Sequence, residues 1–278
     1  MLAHGRKHGR MRGEMGETIS EKTRAELWAF AEKLADRASE LLRGYHARLD
    51  TEIEIKPDGS PVTIADKECE RHLRRWIAEC HPEHGIIGEE FGTERPDAEF
   101  VWSLDPIDGT KSFIPRVPLY GLLLGLLWQG RPFLGLIDQP ITRQRVIGDG
   151  RRTLYNGRPA QISGKSRLQD ALLLTTDVKN VAKYQNKAAF DRLVDRCGLF
   201  RTWGDCYGHM MIAAGLGDIM ADPVLNPWDL YPLIPVLRGA GAIVTDWHGG
   251  DPLVTHHVIA ATPALHEPAL RILNEKQA

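Results

Sequence analysis

The stretch Asp105-Pro106-Ile107-Asp108-Gly109-Thr110 brings together the groups of an oxygen-only metal site. Two carboxylates separated by a stiff Pro-Ile turn can face one point, and the Ile107 carbonyl supplies a third oxygen. Hard divalent cations such as Mg2+ take that kind of donor set and keep part of their water. Gly109 lets the backbone come close to a ligand. A helix starting at Thr110 would add free N–H groups and its positive end, which suit a phosphate. Two further acidic points, Glu89-Glu90 and Asp229, also stand at junctions between elements. Singly, each has an ordinary structural explanation, because Asp-Pro-x-Asp-Gly makes a good turn and an Asp ahead of a helix makes a good cap. Metal ligands and an anion cradle in one short phrase ask for more than turn formation.

Periodicity gives the elements that must hold these residues. Thr18 and Glu21 form a capping-box pair opening a first helix, with an apolar face of Leu27, Phe30, Ala31, Leu34, Ala38, Leu41 and Tyr45. Lys56-Pro57-Asp58-Gly59-Ser60-Pro61 reads as loop. Thr63 is the expected N-cap of a second helix, with Asp66 in its first turn and Leu73, Trp76, Ile77 and Cys80 as its stripe. Short strands follow at 85–88, 100–104, 122–128, 133–137 and 145–148, the middle pair joined as a hairpin across Gln129–Pro132. Asn156-Gly157 is a turn. Beyond residue 160, strands at 171–175, 219–221, 242–247 and 258–261 alternate with helices at 187–196 and 205–215. Another helix starts near Asp229, broken in regularity by Pro232 and Pro235, and a last one follows Thr262. The expectation is a mixed α/β chain in three parts. Residues 1–17 form a disordered basic leader, 18–160 an N-terminal half with the metal-binding motifs, and 161–278 a C-terminal half that closes the active site.

Composition excludes several classes. The chain has 278 residues, 42% hydrophobic and 26% charged, which rules out a disordered protein. A net charge of −2 gives no electrostatic footprint for nucleic acid. Arg6, Lys7, Arg10 and Arg12 precede the first acid, Glu14, but no apolar stretch makes a targeting signal of them. The longest apolar run, 119–128, is half the ~20 residues a membrane span requires. Four scattered cysteines without a C-x-x-C pair read as reduced thiols, so the expected location is cytoplasmic.

Gly88-Glu89-Glu90, Asp105-Pro106-Ile107-Asp108-Gly109-Thr110 and Trp228-Asp229 resemble the signatures of the inositol monophosphatase superfamily in order and spacing. Asp58-x-Ser60-Pro61-Val62-Thr63-x-Ala65-Asp66 is similar to its N-terminal block. Within it, Asp108-Gly109-Thr110-Lys111-Ser112-Phe113, Gly135–Pro140 and Gly204-Asp205-Cys206-Tyr207 look most like the histidinol-phosphate phosphatase branch. Asp222 stands where that branch leads one to expect Glu. The resemblance implies a layered αβαβα sandwich, a homodimer, inhibition by lithium, and hydrolysis of a small phosphate monoester with two or three Mg2+ per site. Glu89, Asp105 and the Ile107 carbonyl would hold one ion; Asp105, Asp108 and Asp229 would hold another. Glu89 and Thr110, the latter held by Asp66, would orient the attacking water. Asp108, Gly109, Thr110 and Asp229 would face the substrate phosphate. Histidinol phosphate carries an ammonium and an imidazole, so acidic partners are expected for its leaving group, and Asp205 and Asp222 are the candidates. The competing reading of Asp205 is a helix cap.

Other readings have less support. Gly164-Lys165-Ser166 has the end of a nucleotide P-loop, but Pro159 stands where the first Gly is required. His256-His257 lacks paired ligand spacing, and the dispersed tryptophans suit packing better than a stacking platform. A non-catalytic member of the superfamily would show a lost metal ligand, whereas all are present. Inositol phosphates, other sugar phosphates and 3′-phosphonucleotides are the alternative substrates.

Overall fold

A computed structural model describes residues 18–48, 53–55 and 61–275. The basic leader and the Lys56–Ser60 loop lie outside the described residues. In chain order the elements are α1 (Glu21–His46), β1 (Ile53–Ile55), β2 (Pro61–Thr63), α2 (Ile64–Cys80), β3 (Gly85–Gly88), β4 (Gly92–Glu94), β5 (Phe100–Asp108) and α3 (Thr110–Phe113). There follow β6 (Gly121–Trp128), β7 (Arg131–Gln139), β8 (Gln144–Gly148), β9 (Thr153–Tyr155) and β10 (Arg158–Pro159). The rest comprises β11 (Leu172–Leu174), α4 (Val178–Tyr184), α5 (Lys187–Arg196), β12 (Leu199–Arg201), α6 (Asp205–Ala213), β13 (Ile219–Asp222), α7 (Pro227–Gly239), β14 (Ile243–Thr245), α8 (Pro252–Thr255), β15 (Val258–Ala261) and α9 (Pro263–Asn274).

An eight-stranded sheet runs β10-β9-β8-β7-β6-β5-β3-β4, antiparallel except where β3 meets β5. A five-stranded sheet runs β12-β11-β13-β15-β14, with β11 parallel to both its neighbours. Helices α1 and α2 cover the outer face of the large sheet, and α6 and α7 fill the space between the sheets. Helices α5 and α9 close the far side. The result is the layered αβαβα sandwich. The expected boundary near residue 160 falls between β10, the last strand of the large sheet, and β11, the first of the small one.

Local sequence accounts for most of this order. Helix α1 buries Leu27, Ala31, Leu34, Ala38 and Leu42 at helical spacing, with Phe30, Leu41 and Tyr45 at the margins of the stripe. Its cap is Ser20, whose hydroxyl accepts the Thr23 N–H at 3.0 Å, so the expected Thr18–Glu21 box is two residues too early. The reason is geometric: a capping oxygen reaches the N–H two or three residues on, and Thr18 is too far from the first turn. On α2, Leu73 and Ile77 are buried as expected, whereas Cys80 is exposed.

Helix α7 departs most from expectation. It starts at Pro227, not at Asp229, and continues through Pro232 and Pro235 to Gly239. An interior proline costs about 3 kcal/mol in an isolated helix. Here the prolines press into a glycine groove: Gly125, Gly135 and Gly148 lie opposite one another across β6, β7 and β8. A Cβ on Gly135 would stand 1.8 Å from the Pro232 carbonyl oxygen, and one on Gly148 would stand 2.9 Å from the Val236 Cα. Two carbonyls in the second half of the helix also accept bonds from beside the sheet, Pro235 O from the Gly150 N–H at 3.0 Å and Val236 O from the Thr153 hydroxyl at 2.6 Å. Burial of the Leu230, Leu233, Ile234, Val236 and Leu237 side chains, about 1.5–3 kcal/mol each, offsets the backbone cost.

Gly135→Ala should therefore destabilise the protein by about 1–3 kcal/mol or more, because backbone must move to admit the methyl group. Gly44→Ala, on exposed helix with nothing within 4 Å, should instead stabilise by about 0.5–1 kcal/mol. Urea denaturation of the two variants checks the contrast, and equal effects would contradict the groove.

Candidate active site

Strand β5 is buried along almost its whole length and ends in the acidic phrase. Residues three apart in a regular strand point to opposite faces. Asp105 and Asp108 nevertheless share a side. The register slips from Asp105↔Leu123 to Asp108↔Gly121, placing one extra residue on β5. This bulge re-aims the second carboxylate. Pro106, which has no N–H to lose, sits inside it, and the Ile107 N–H donates to Asp105 Oδ1 at 3.0 Å. Asp229 arrives from the first turn of α7, where its Oδ2 accepts the Asn226 N–H at 2.8 Å. Carboxylate oxygens of Asp105, Asp108 and Asp229 lie within 4.8 Å of one another.

Such crowding is costly without a counter-charge. Burial, then the charges of Glu89, Asp108 and Asp229, hold the Asp105 carboxyl well above the usual carboxylate range. Burial, then Asp205 and Asp229, do the same to Asp108, although the Cys206 N–H bond opposes the shift. Asp229 is pushed up to about 7, chiefly by burial, with Glu89 and Asp205 adding to it. Among the described residues no lysine, arginine or histidine forms an ion pair with these three. An all-oxygen set of buried, mutually repelling carboxylates fits a hard divalent cation. Asp105, Asp108, Asp229, Glu89 and the Ile107 carbonyl are the residues that could hold it.

The Glu89-Glu90 turn follows β3, with Glu89 N–H on Leu104 O at 3.1 Å. It is fastened by Glu70 of α2, whose carboxylate accepts the Glu90 and Phe91 N–H groups at 2.8 and 3.2 Å and pairs with Arg74 at 2.8 Å. Glu70 is a residue the sequence reading missed. Its signal was an acid standing at helical spacing among Asp66, Cys69, Leu73 and Ile77, on the face that proves buried.

Asp66 caps its own helix: Oδ2 accepts the Thr63 N–H at 2.8 Å and the Thr63 hydroxyl at 2.6 Å. The expected Asp66–Thr110 bond is replaced, since the Thr110 hydroxyl donates to Ile107 O at 3.2 Å. Asp66 Oδ1 is left buried with no partner, and its carboxyl is pushed up to about 7, by burial first and by Glu90 and Glu89 after. Gly109 takes a φ of +91°, which opens the turn α3. That helix is a single turn, so the expected dipole is small. What remains are the free N–H groups of any helix start.

Asp205 does not cap α6. The N-cap is Gly204, while Asp205 is the first helical residue at a φ of +48°, a left-handed conformation uncommon outside glycine. A Cβ on Gly109 would lie 3.1 Å from Asp205 Oδ2, so this carboxylate faces the catalytic turn. Burial and then Asp222 push it up to about 7, against the pull of Lys111. Asp222 borders the same cavity but is only 1% exposed, with Oδ1 accepting the Thr176 N–H at 2.9 Å and Oδ2 beside His209 Nε2 at 3.0 Å. Both of its oxygens are taken by protein. The neighbouring Cys206 thiol is buried and shifted far up, as befits packing.

These groups line a cavity of about 430 Å³. One wall is Glu89, Asp105, Asp108 and the Gly109–Ser112 turn, and the other is Thr176, Asp177, Asn180, Thr202 and Val224–Asn226. A larger hollow of about 550 Å³ between α1 and β7–β9 holds charges that pair internally, Arg145 with Asp138 and Asp36. His81, Glu83 and His84 also approach metal-binding distances. There the Trp102 N–H donates to His84 Nδ1 at 3.1 Å, which leaves the hydrogen on Nε2, facing Glu83, and removes that nitrogen as a ligand. His257 is structural, accepting the Trp247 N–H at 3.1 Å. Among the described residues no helix is long and apolar enough to cross a membrane.

Asp105→Asn should lose turnover while retaining the native circular dichroism spectrum, and near-normal activity would contradict the cluster's role. Removal of metal should expose a pH dependence. The folded chain's raised carboxyls hold protons that the unfolded chain has already released. Their stabilisation is complete below the ordinary carboxylate pKa near 4 and is lost as pH rises to about 7. With chelator, stability should fall from pH 5 to pH 8, and Mg2+ or Asp229→Asn should flatten the slope. A flat profile in the chelated protein would contradict the electrostatic account.

Comparison with known proteins agrees with this geometry. The pattern of the inositol monophosphatase family matches residues 23–278. The chloroplastic bifunctional phosphatase IMPL2 of Arabidopsis thaliana is 41% identical over 239 residues, 84% of this chain and 68% of that protein. A histidinol-phosphatase of Mycobacterium tuberculosis is 35% identical over 253 residues, 87% of this chain and 95% of that one. The structure of an inositol monophosphatase from Zymomonas mobilis superposes with a TM-score of 0.80 at 35% identity, covering 90% of this chain and 98% of that chain. A fold, an acidic cluster and a sequence pattern that agree over nearly the whole length place this chain in the inositol monophosphatase family, as a phosphoric monoester hydrolase.

Proposed function

We propose that the enzyme hydrolyses L-histidinol phosphate to L-histidinol and phosphate with Mg2+, acting as a cytoplasmic homodimer. The observation that carries the substrate is the acidic end of the cavity. The Asp205 carboxylate is turned toward Gly109 by a left-handed backbone, Asp177 stands on the same rim, and Lys111, 3.9 Å from Asp177, is the cation beside them. A leaving group bearing an ammonium complements that wall; a neutral polyol uses less of it. The likeness to a histidinol-phosphatase over most of both chains supports the same reading.

Mg2+ held by Asp105, Asp108, Asp229, Glu89 and the Ile107 carbonyl supplies Lewis acidity, which lowers the pKa of water and offsets the phosphate charge. The protein does the rest. N–H groups at the start of α3 point to the equatorial phosphate oxygens, which gain charge in the transition state. Glu89 and Thr110 orient the attacking water in line with the ester bond. Water adds to phosphorus as the bond to the alcohol oxygen breaks; one of the water's protons passes to that oxygen and the other stays with the phosphate, so the products are the alcohol and hydrogen phosphate. Asp205 holds the departing ammonium and fixes the orientation of the ester.

Inositol phosphate is the second reading, favoured by the 35% identical Zymomonas mobilis structure. Phosphate release compared across L-histidinol phosphate, inositol 1-phosphate and a 3′-phosphonucleotide decides between them. A preference in kcat/KM of about a hundredfold for histidinol phosphate, roughly 2.7 kcal/mol, is expected. Asp205→Asn should abolish most of that preference and leave a small neutral ester little affected. Equal rates on all three esters would contradict the reading.

A further inference from the structure

His209 and Asp222 meet in the wall between α6 and β13, each 1% exposed, and the chemistry described above makes no use of the imidazole. His209 Nε2 lies 3.0 Å from Asp222 Oδ2. The other carboxylate oxygen takes the Thr176 N–H at 2.9 Å, and the Thr176 hydroxyl takes the Asp205 N–H at 2.8 Å. A hydrogen-bonded chain thus runs from the core to Asp205, whose carboxylate faces Gly109 in the cavity. Backbone packing tightens it. A Cβ on Gly204 would stand 2.2 Å from the Thr176 Cα, so a shift of Thr176 carries Asp205 with it.

The chemistry of the chain follows from one orphaned atom. His209 Nδ1 is buried with no partner. A hydrogen there would be an unsatisfied buried donor, and a bare Nε2 would set its lone pair against a carboxylate. The hydrogen therefore sits on Nε2 and is donated to Asp222. Donation through Nε2 fixes the direction of the carboxylate, and Asp222 is one of the groups that push the Asp205 carboxyl up.

We propose that His209 is a positioning residue which, through Asp222 and Thr176, holds Asp205 in its left-handed pose and so sets selectivity for a cationic leaving group without touching substrate. This deepens the histidinol-phosphate reading and rests on it. Asp222 then acts as a link in the wall, and its short side chain is what allows it to stay on His209 and Thr176.

The test compares His209→Phe, which removes the donor, with His209→Gln, whose amide can replace it, on L-histidinol phosphate and on glycerol 2-phosphate. His209→Phe should lose about tenfold in kcat/KM on histidinol phosphate, mainly through KM, as expected for a lost hydrogen bond to a charged group. On glycerol 2-phosphate it should stay within about twofold, and His209→Gln should recover most of the loss. Equal losses on both esters, or none on either, would overturn the proposal. A wild-type enzyme with no preference for the cationic ester would overturn the substrate reading instead. The imidazole nitrogen spectrum of 15N-labelled wild-type enzyme judges the relay in either case. A ring protonated on Nε2 and slow to exchange is expected, and one protonated on Nδ1 would overturn it.

Discussion

Mutual repulsion among Asp105, Asp108 and Asp229 is the interaction around which the molecule is organised. Three carboxylates whose oxygens lie within 4.8 Å are a liability in a folded protein, and here burial compounds it. The chain meets the problem with backbone donors: Ile107 N–H for Asp105, Cys206 N–H for Asp108 and Asn226 N–H for Asp229. Each donor bond fixes direction, and none neutralises charge. A set of fixed carboxylates without a protein counter-charge fits a doubly charged cation, and the proposed chemistry uses that cation for phosphate ester hydrolysis.

The rest of the sandwich holds the parts of that set in place. A bulge at the end of β5 puts two of the carboxylates on one side. The third depends on where α7 begins, and α7 is seated by its prolines in the Gly125–Gly135–Gly148 groove of the large sheet. Helix α6, packed beside α7, supplies the Cys206 N–H and carries Asp205. The proposed metal end of the cavity thus rests on β5 and α7, and the proposed leaving-group end on α6 and the segment after β11. Phosphate chemistry and leaving-group choice can vary separately in such an arrangement.

How much of this could be read from residues alone depended on how local each feature is. The Asp105–Thr110 phrase, the Thr63–Asp66 cap and the amphipathic face of α1 are each contained within a few turns of chain, and the structure reproduces them. Where partners are distant, sequence was silent or misleading. Pro232 and Pro235 look like helix breakers until the glycines facing them, about a hundred residues earlier in the chain, are known. Asp222 reads as a candidate partner for the leaving group, and nothing local shows that His209 and Thr176 stand on its two oxygens. Glu70 went unread, because the turn that it ties down is about twenty residues further along the chain. Thr18 in place of Ser20 is a smaller error, a matter of two residues at a helix end where several capping residues compete.

The central claim is that the acidic cluster keeps its charge in check by protonation until a divalent cation replaces the protons. Calorimetric titration of the metal-free protein with Mg2+ near pH 6, repeated in buffers of different ionisation enthalpy, measures the protons released per binding event. The account predicts a clear net release, since burial and neighbouring charges push the Asp229 carboxyl up to about 7, and a release that fades as pH rises above 8. Binding without proton release, or no Mg2+ binding at all, would contradict it.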